Sequence, residues 1–437
     1  MRGLKEAALL AALLPCVALA QSPDDAGGDA RFQATYVRQQ KPSFPAAYSG
    51  ERSLSASREK SYSFTATAFL GMRPWTGGEL YFNPEVALGV PLSDLAGLGG
   101  FTNGEIARVS GRDPTFYRAR MFLRQTWGFG GGRESLEPEA NQLAGEVDKR
   151  RLVLTAGNLS VLDLFDDNTY NHDPRTQFLN WSLYTHGAYD FAADARGYTW
   201  GAALEYFYDG WAIRAGRFLQ PKEPNQLALD SRIFKHYGDQ AEIEHGHSLA
   251  GRPGKIRFLV FRNVAKMSRY SDALNLADQN ATIPDINAVR SNEQVKRGFG
   301  INVEQEIAPD TGLFARASWA DGRTETYAFA EIDRSVSGGI QVKGRAWGRS
   351  GDAFGFALAR NVLSREHREY LARGGLGFFI GDGRLNYRPE AILETYYSAE
   401  VARGFAVSLD FQRIANPAYN ADRGPVNVAT VRLHAEF

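Results

Sequence analysis

The sequence predicts an all-β chain, a transmembrane antiparallel β-barrel of about 16 strands with short turns at one end and long loops at the other. Three observations carry this expectation. Apolar and polar residues alternate in segment after segment, as strands with two unlike faces require. No window beyond the first twenty residues has the long apolar run of a membrane helix, although 12% of residues are aromatic and the mean hydropathy is −0.35. Short Gly-, Pro- and Asp-containing turns mostly alternate with long polar segments.

The N-terminal stretch supplies the first element. Arg2 and Lys5 precede an apolar run from Ala7 to Leu19, and Ala18-Leu19-Ala20 follows before Gln21. This is the charged, apolar and small-residue order of a cleaved secretory signal, so residues 1–20 read as a signal peptide and 21–437 as one barrel domain. Cys16, the single cysteine, lies inside that signal behind Pro15 instead of a small residue, which argues against lipid attachment. Removing Arg2, Lys5 and Glu6 leaves 48 basic against 49 acidic residues, a balance that gives nucleic acid no electrostatic footprint to meet.

The strands follow in order at 31–38, 61–73, 77–90, 116–130, 150–160, 197–209, 211–220, 236–249, 253–266, 296–308, 312–322, 325–346, 350–363, 389–402, 404–416 and 426–437. The last is the plainest, with Val431, Leu433, Ala435 and Phe437 alternating against Arg432, His434 and Glu436. Tight turns are expected at Tyr208-Asp209-Gly210, Gly251-Arg252-Pro253-Gly254, Ala308 to Gly312 and Arg349 to Asp352. Long segments at 91–115, 161–196, 221–235, 267–295 and 364–388 fall at the opposite end. Segment 131–149 is long yet on the turn side, and a short loop at 323–324 is on the loop side; both depart from the rule. The chain ends on Phe437, as outer-membrane barrels commonly do, which implies an assembly-machinery contact at that residue.

Several stretches resemble the carbohydrate-selective porins, the OprB-like family of Gram-negative outer membranes. They are ELYFNPEVALG from Glu79, GLGGFTNGE from Gly97, FYRARMFLRQTWGFGG from Phe116, the long block from Asp163 to Gly201, and the closing FQRIANPAYNADRGPVNVATVRLHAEF. The resemblance implies a sixteen-stranded outer-membrane barrel through which small mono- or oligosaccharides diffuse into the periplasm, with no cofactor, embedded in outer-membrane lipid as a monomer or homotrimer. It implies no roles for individual residues.

A sugar is neutral, flat on one ring face and edged with hydroxyls, so a channel for it needs aromatic surfaces and charge-paired hydrogen-bonding groups without a net field. The inward phases of the expected strands supply Asn83, Glu85, Arg118, Arg120, Arg124, Glu205, Arg214, Glu242, Glu244, Asp410 and Gln412. Segment 161–196, the longest, gathers Asp166, Asp167, Asn168, Asn171, Asp173, Arg175, Asn180, Trp181, Tyr184 and Tyr189, and is expected to fold inward as the constriction. Charged lumen residues of any porin face water without selecting anything, and the same acidic cluster equally suits Asx turns on the surface or a structural calcium site. Tyr198, Trp200, Tyr206, Tyr208, Trp211, Trp319, Tyr397 and Phe437 read as interfacial girdle residues. His245 and His247 share one strand face but have no evident third ligand, so a metal is not expected.

Enzyme signatures are missing: there is no His-Glu-x-x-His, Gly-x-Ser-x-Gly or phosphate-cradling loop. A barrel hydrolase using His172, His186 or His434 and a soluble propeller are weaker readings, the latter because no blade-length repeat is present. The rival to a sugar channel is a structural or adhesive barrel whose loops close the lumen.

Overall fold

The computed structural model describes residues 27–106 and 111–437, so the expected signal, 1–20, lies outside the described residues. The first half of the chain contributes β1 (Gly28–Lys41), β2 (Glu59–Trp75), β3 (Gly78–Val90), β4 (Thr115–Gly128), β5 (Arg133–Leu136), β6 (Gly145–Asp148), β7 (Arg151–Leu159), β8 (Thr199–Tyr208) and β9 (Trp211–Leu219). The second half contributes β10 (Tyr237–Leu249), β11 (Arg252–Lys266), β12 (Glu293–Ala308), β13 (Thr311–Ala320), β14 (Arg334–Lys343), β15 (Ala353–Val362), β16 (Glu390–Ala402), β17 (Phe405–Ala415) and β18 (Val426–Glu436). Helices α1 (Tyr270–Asn280) and α2 (Arg365–Ala372) lie in two of the long loops.

Sixteen of these strands close into one antiparallel ring, each paired with its neighbours in chain order except that β4 skips to β7 and β18 returns to β1. Closure leaves no edge and pairs the backbone polar groups that lipid cannot satisfy. At the seam, Gln33 is opposite Glu436, and Phe32 and Phe437 exchange backbone hydrogen bonds of 3.0 and 2.9 Å. The skipped pair, β5 and β6, is a separate hairpin at the short-turn end. It accounts for segment 131–149, which is long because it is folded.

One expected strand is shortened. Residues 325–346 alternate well enough to read as a single strand, but the strand occupies only 334–343. Residues 325–333 instead turn into the barrel, where Tyr327, Phe329 and Ile332 are buried. The Asp190 carboxylate captures the backbone N–H groups of Tyr327, Ala328 and Phe329 at 2.8 to 2.9 Å and so replaces the ladder bonds a strand would have made.

The outer wall inverts the usual order of a folded protein. Phe116, Leu409 and Val336 are 81, 63 and 62% exposed, whereas the alternating inward positions are buried beneath loops. Exposed apolar side chains in that pattern mark the lipid face. Near the short turns this face carries Trp75, Trp127, Tyr208, Trp211 and Tyr397, and His245 stacks on Trp211 with ring centres 4.1 Å apart. Its neighbour His247 meets the Gln305 amide at 3.0 Å, so both histidines serve the wall. Tyr198 is not in this girdle: it is 9% exposed and lies against the inward Arg120, because β8 starts only at Thr199. Near the long loops the outward positions are basic, with Lys60, Arg118, Arg217, Arg262, Lys266, Arg297, Arg334, Arg360 and Arg413 set against Asp239 and Glu293.

Candidate passage through the barrel

The segment between β7 and β8, residues 160–198, folds into the barrel and is fixed to strands all round the wall. At its near end the Asp166 backbone N–H donates to Glu242 (2.9 Å), while its carboxylate accepts from Arg316 (2.9 Å), Asn302 (2.6 Å) and the Thr185 hydroxyl (2.8 Å). Thr169 donates its N–H to Glu304 (2.8 Å), and the Leu179 and Asn180 N–H groups donate to Glu394. Asn180 also reaches Gln412 (3.0 Å), and Arg432 donates to the carbonyls of Pro174 and Gln177, both at 2.7 Å. A buried charge is tolerated only with partners of this kind. Burial alone would raise the Asp166 carboxyl, but the Arg316 guanidinium beside it, helped by His186, holds it well below the usual carboxylate range. His186 is driven the other way, down to about 4, chiefly by burial and only partly offset by Asp166. Gly300 on β12 makes room for that ring: a Cβ there would lie 2.4 Å from His186 Nε2.

These contacts sort the expected site residues into two groups. Glu205, Arg214 and Glu242 come together, but as an inner ion-pair network: Arg214 bonds Glu205 (2.8 Å), Glu242 and Glu244 (both 3.1 Å), and all are covered by the inward loop. Arg257 continues the network to Glu244, Glu304 and the half-exposed Asp167. Asp166, Asn180 and Asp410 are likewise buried, so these residues hold the loop and do not border open space. The calcium reading of the acidic cluster gives way for the same reason, since Asp166 is consumed by Arg316 and Asn302, and Asp173 binds the Arg175 N–H (2.9 Å) as an Asx turn. Among the described residues no group of three or more acidic, His or Cys side chains is arranged around a metal position.

The second group borders two cavities along the wall made by β3 and β4. The upper one, of about 120 Å³, lies at the long-loop side and is bordered by Glu85, Tyr117, Arg175, Trp181, Tyr198 and Phe329 among others. Here Arg175 bonds Glu105 (2.9 Å) and approaches Glu85 (3.5 Å), Tyr117 donates to Glu85, and the Trp181 indole stacks on Phe329 at 5.1 Å. The lower cavity, of about 200 Å³, lies beneath the root of the inward loop and is bordered by Phe122, Arg124, Glu139 to Gln142, Thr155 and Asp163. Between them Arg120 forms a two-pronged pair with Asp163 (2.7 and 2.6 Å) and lies over Tyr198. Arg124 is held by the Asn141 carbonyl (2.9 Å) and lies over Tyr81 and Phe122. Arg175, Arg120 and Arg124 therefore succeed one another down the wall. Asn83 Oδ1 and Nδ2, Arg120 Nη1, Asn141 Oδ1 and Thr155 Oγ1 are buried there without a protein partner.

Arg118 departs from the inward expectation. Pro84 on β3 cannot donate a ladder bond, and the pairing shifts there so that Asn83 faces Arg120 but Pro84 faces Arg118, with Ala119 left over as a bulge. The slip turns Arg118 outward, where it donates to Asn158 (3.0 Å) and covers the lipid-facing Trp200. Tyr117, by the same slip, turns inward. Tyr117, Glu105, Asp163 and Asn141 were not among the expected site residues, and Arg175 was noted only as part of the loop. Pro84 inside an otherwise central strand was the signal that the phase changes.

Comparison with known proteins agrees with this architecture. The family model described as "Carbohydrate-selective porin, OprB family" matches residues 64–437. Among solved structures, Pseudomonas putida OprB at high pH superposes with a TM-score of 0.71 at 17% identity, covering 94% of each chain. The outer membrane channel DcaP of Acinetobacter baumannii gives 0.54 at 10% identity, covering 96% of this chain and all of that one. No curated protein matches the sequence significantly.

Proposed function

The chain belongs to the carbohydrate-selective porin (OprB) family of outer-membrane channels, and on that premise we propose that it passes small neutral sugars along the β3–β4 wall, through the upper cavity, past Arg120 and out through the lower one. The observation that carries this reading is Arg175 set between Glu105 and Glu85 beside the Trp181 and Tyr198 rings. A guanidinium set between two carboxylates offers donors and acceptors in fixed directions, as a hydroxylated solute needs, and because the trio sums to one negative charge it gives an anion no attraction. The adjoining aromatic rings match the apolar face of a sugar. The partnerless atoms of Asn83, Asn141, Thr155 and Arg120 offer a second set of hydrogen bonds lower down.

The test is single-channel recording in a planar bilayer while glucose and maltose are titrated, beside a neutral polymer of similar size. Sugar-dependent block where the polymer has none is the expected result. R175A should raise conductance and weaken the block by about tenfold, the loss of one charge-assisted contact set. A folded, heat-modifiable barrel without conductance would overturn the reading in favour of a structural or adhesive barrel closed by its own loops. Equal block by polymer and sugar would reduce it to a sieve of size alone.

A further inference from the structure

The rim of outward arginines has a local organisation. Arg262 on β11 and Arg297 on β12 stand directly opposite each other in the ladder, an arrangement of like charges that is destabilising unless something negative lies between or above them. Asp239 meets part of that need, accepting from Arg262 at 2.8 Å and from Arg217 at 2.7 Å, so two guanidinium groups share one carboxylate and Arg297 is left without one. Farther round the wall Arg334 and Arg360 have no carboxylate within ion-pair distance among the described residues, nor does Arg297. From β12 to β15 is three interstrand spacings, about 14 Å, so these charges lie within the footprint of one large headgroup or two small ones.

Below this rim the wall is hollowed. Leu204, Ala215, Ala241 and Val260 are paired in one row across β8 to β11, and the two alanines leave a trough of about 560 Å³ whose upper border is Arg217, Asp239 and Arg262. A charged rim over an apolar trough on a lipid-facing wall is complementary to an anionic head joined to a hydrocarbon chain. Unpaired positive charge on this rim contrasts with the opposite rim, where the charges beside the aromatic residues are paired, Arg150 with Asp209 at Tyr208 and Arg349 with Asp352 at Tyr397, so the feature is not general to the membrane interface of this barrel. We propose that the rim and trough form a binding site for a phosphate-bearing membrane lipid, its phosphate among Arg262, Arg297 and Arg334 and one acyl chain along Ala215 and Ala241.

The experiment is native mass spectrometry of the detergent-solubilised full chain with dipalmitoyl phosphatidic acid or with dipalmitoyl phosphatidylcholine, which share chains and differ in head. Retention of phosphatidic acid should exceed that of phosphatidylcholine by about tenfold. The triple variant R297Q/R334Q/R360Q should erase the difference, and A241L should lower phosphatidic acid retention by filling the trough. Heat-modifiable migration and conductance should match the parent in both variants, since none of these residues borders the passage. Equal retention of the two lipids, or preference unchanged by the triple variant, would overturn the proposal. So would full displacement by inorganic phosphate, which would mark an ion site, or a dimer of the chain that occupies the rim and is dissolved by the triple variant.

Discussion

His186 shows how much a single side chain can be asked to do inside the barrel. Its ring is fully enclosed in the inward loop, and burial keeps it neutral down to about 4. In the unfolded chain it would take up a proton near its ordinary value of about 6.5. Between those two values the unfolded chain binds the extra proton, so stability falls as the pH drops through this window. The parent should therefore melt at progressively lower temperature from about pH 6.5 to pH 4, and H186Q should flatten that dependence; thermal unfolding followed by gel migration reads both. Asp166 acts only at more acid pH, because its carboxyl is held low by Arg316 and loses its contribution once protonated. Inward and outward phases of single residues were legible in the sequence wherever the ladder runs without interruption, as at Arg214 and Glu242, and Asn83 and Glu85 keep theirs because the extra residue, Ala119, is on the partner strand. Arg118 was not, because one bulge opposite Pro84 exchanges the faces of everything before it. Arg175 escaped for another reason: its carboxylate partners, Glu85 and Glu105, are 90 and 70 positions away in sequence, and no local pattern joins them.

At the scale of elements, the segment between β4 and β7 is the unusual one. Its β5–β6 hairpin projects at the short-turn end, while residues 139–143 lie back against the wall, where Leu143 donates its N–H to the Tyr81 hydroxyl (3.2 Å) and is 5% exposed. Replacing residues 137–143 by a short glycine linker should enlarge the lower opening. Conductance should rise, and sugar added from the short-turn side should block less well, whereas block from the long-loop side should persist; recordings with sugar on one side at a time separate the two. The sixteen wall strands were readable because a two-residue period survives any loop length. Residues 325–333 were misread because Tyr327, Phe329 and Glu331 alternate with smaller residues just as a strand would, and only the distant Asp190 turns them inward. The inward course of 160–198 was anticipated from its length and its Asn, Asp and aromatic content, but not its anchors, which are spread over strands from β3 to β18.

For the whole molecule the ring itself is the stabilising device. Removing residues 426–437 would open the ring and leave one edge of β1 and one edge of β17 unpaired, while β2 and β16 still hold the other edges. Such a chain should fail to yield the compact, heat-modifiable band on a gel while retaining β-structure by circular dichroism. Membership in the porin family and the superposition on two solved barrels agree with a continuous closed wall around an inward-folded segment.

The seam between the first and last strands also has a bearing on time. Gln33 meets Glu436 only after some four hundred residues of chain have been gathered, and the entropy of closing a loop that long is about 5 kcal/mol before any local cost is counted. Every other neighbouring pair in the ring joins segments much nearer in sequence, so a curved, open sheet can form first and the seam last. Until then the sheet has two sticky margins, and the slowest and most hazardous interval in the life of this protein is the one just before Phe32 and Phe437 find each other.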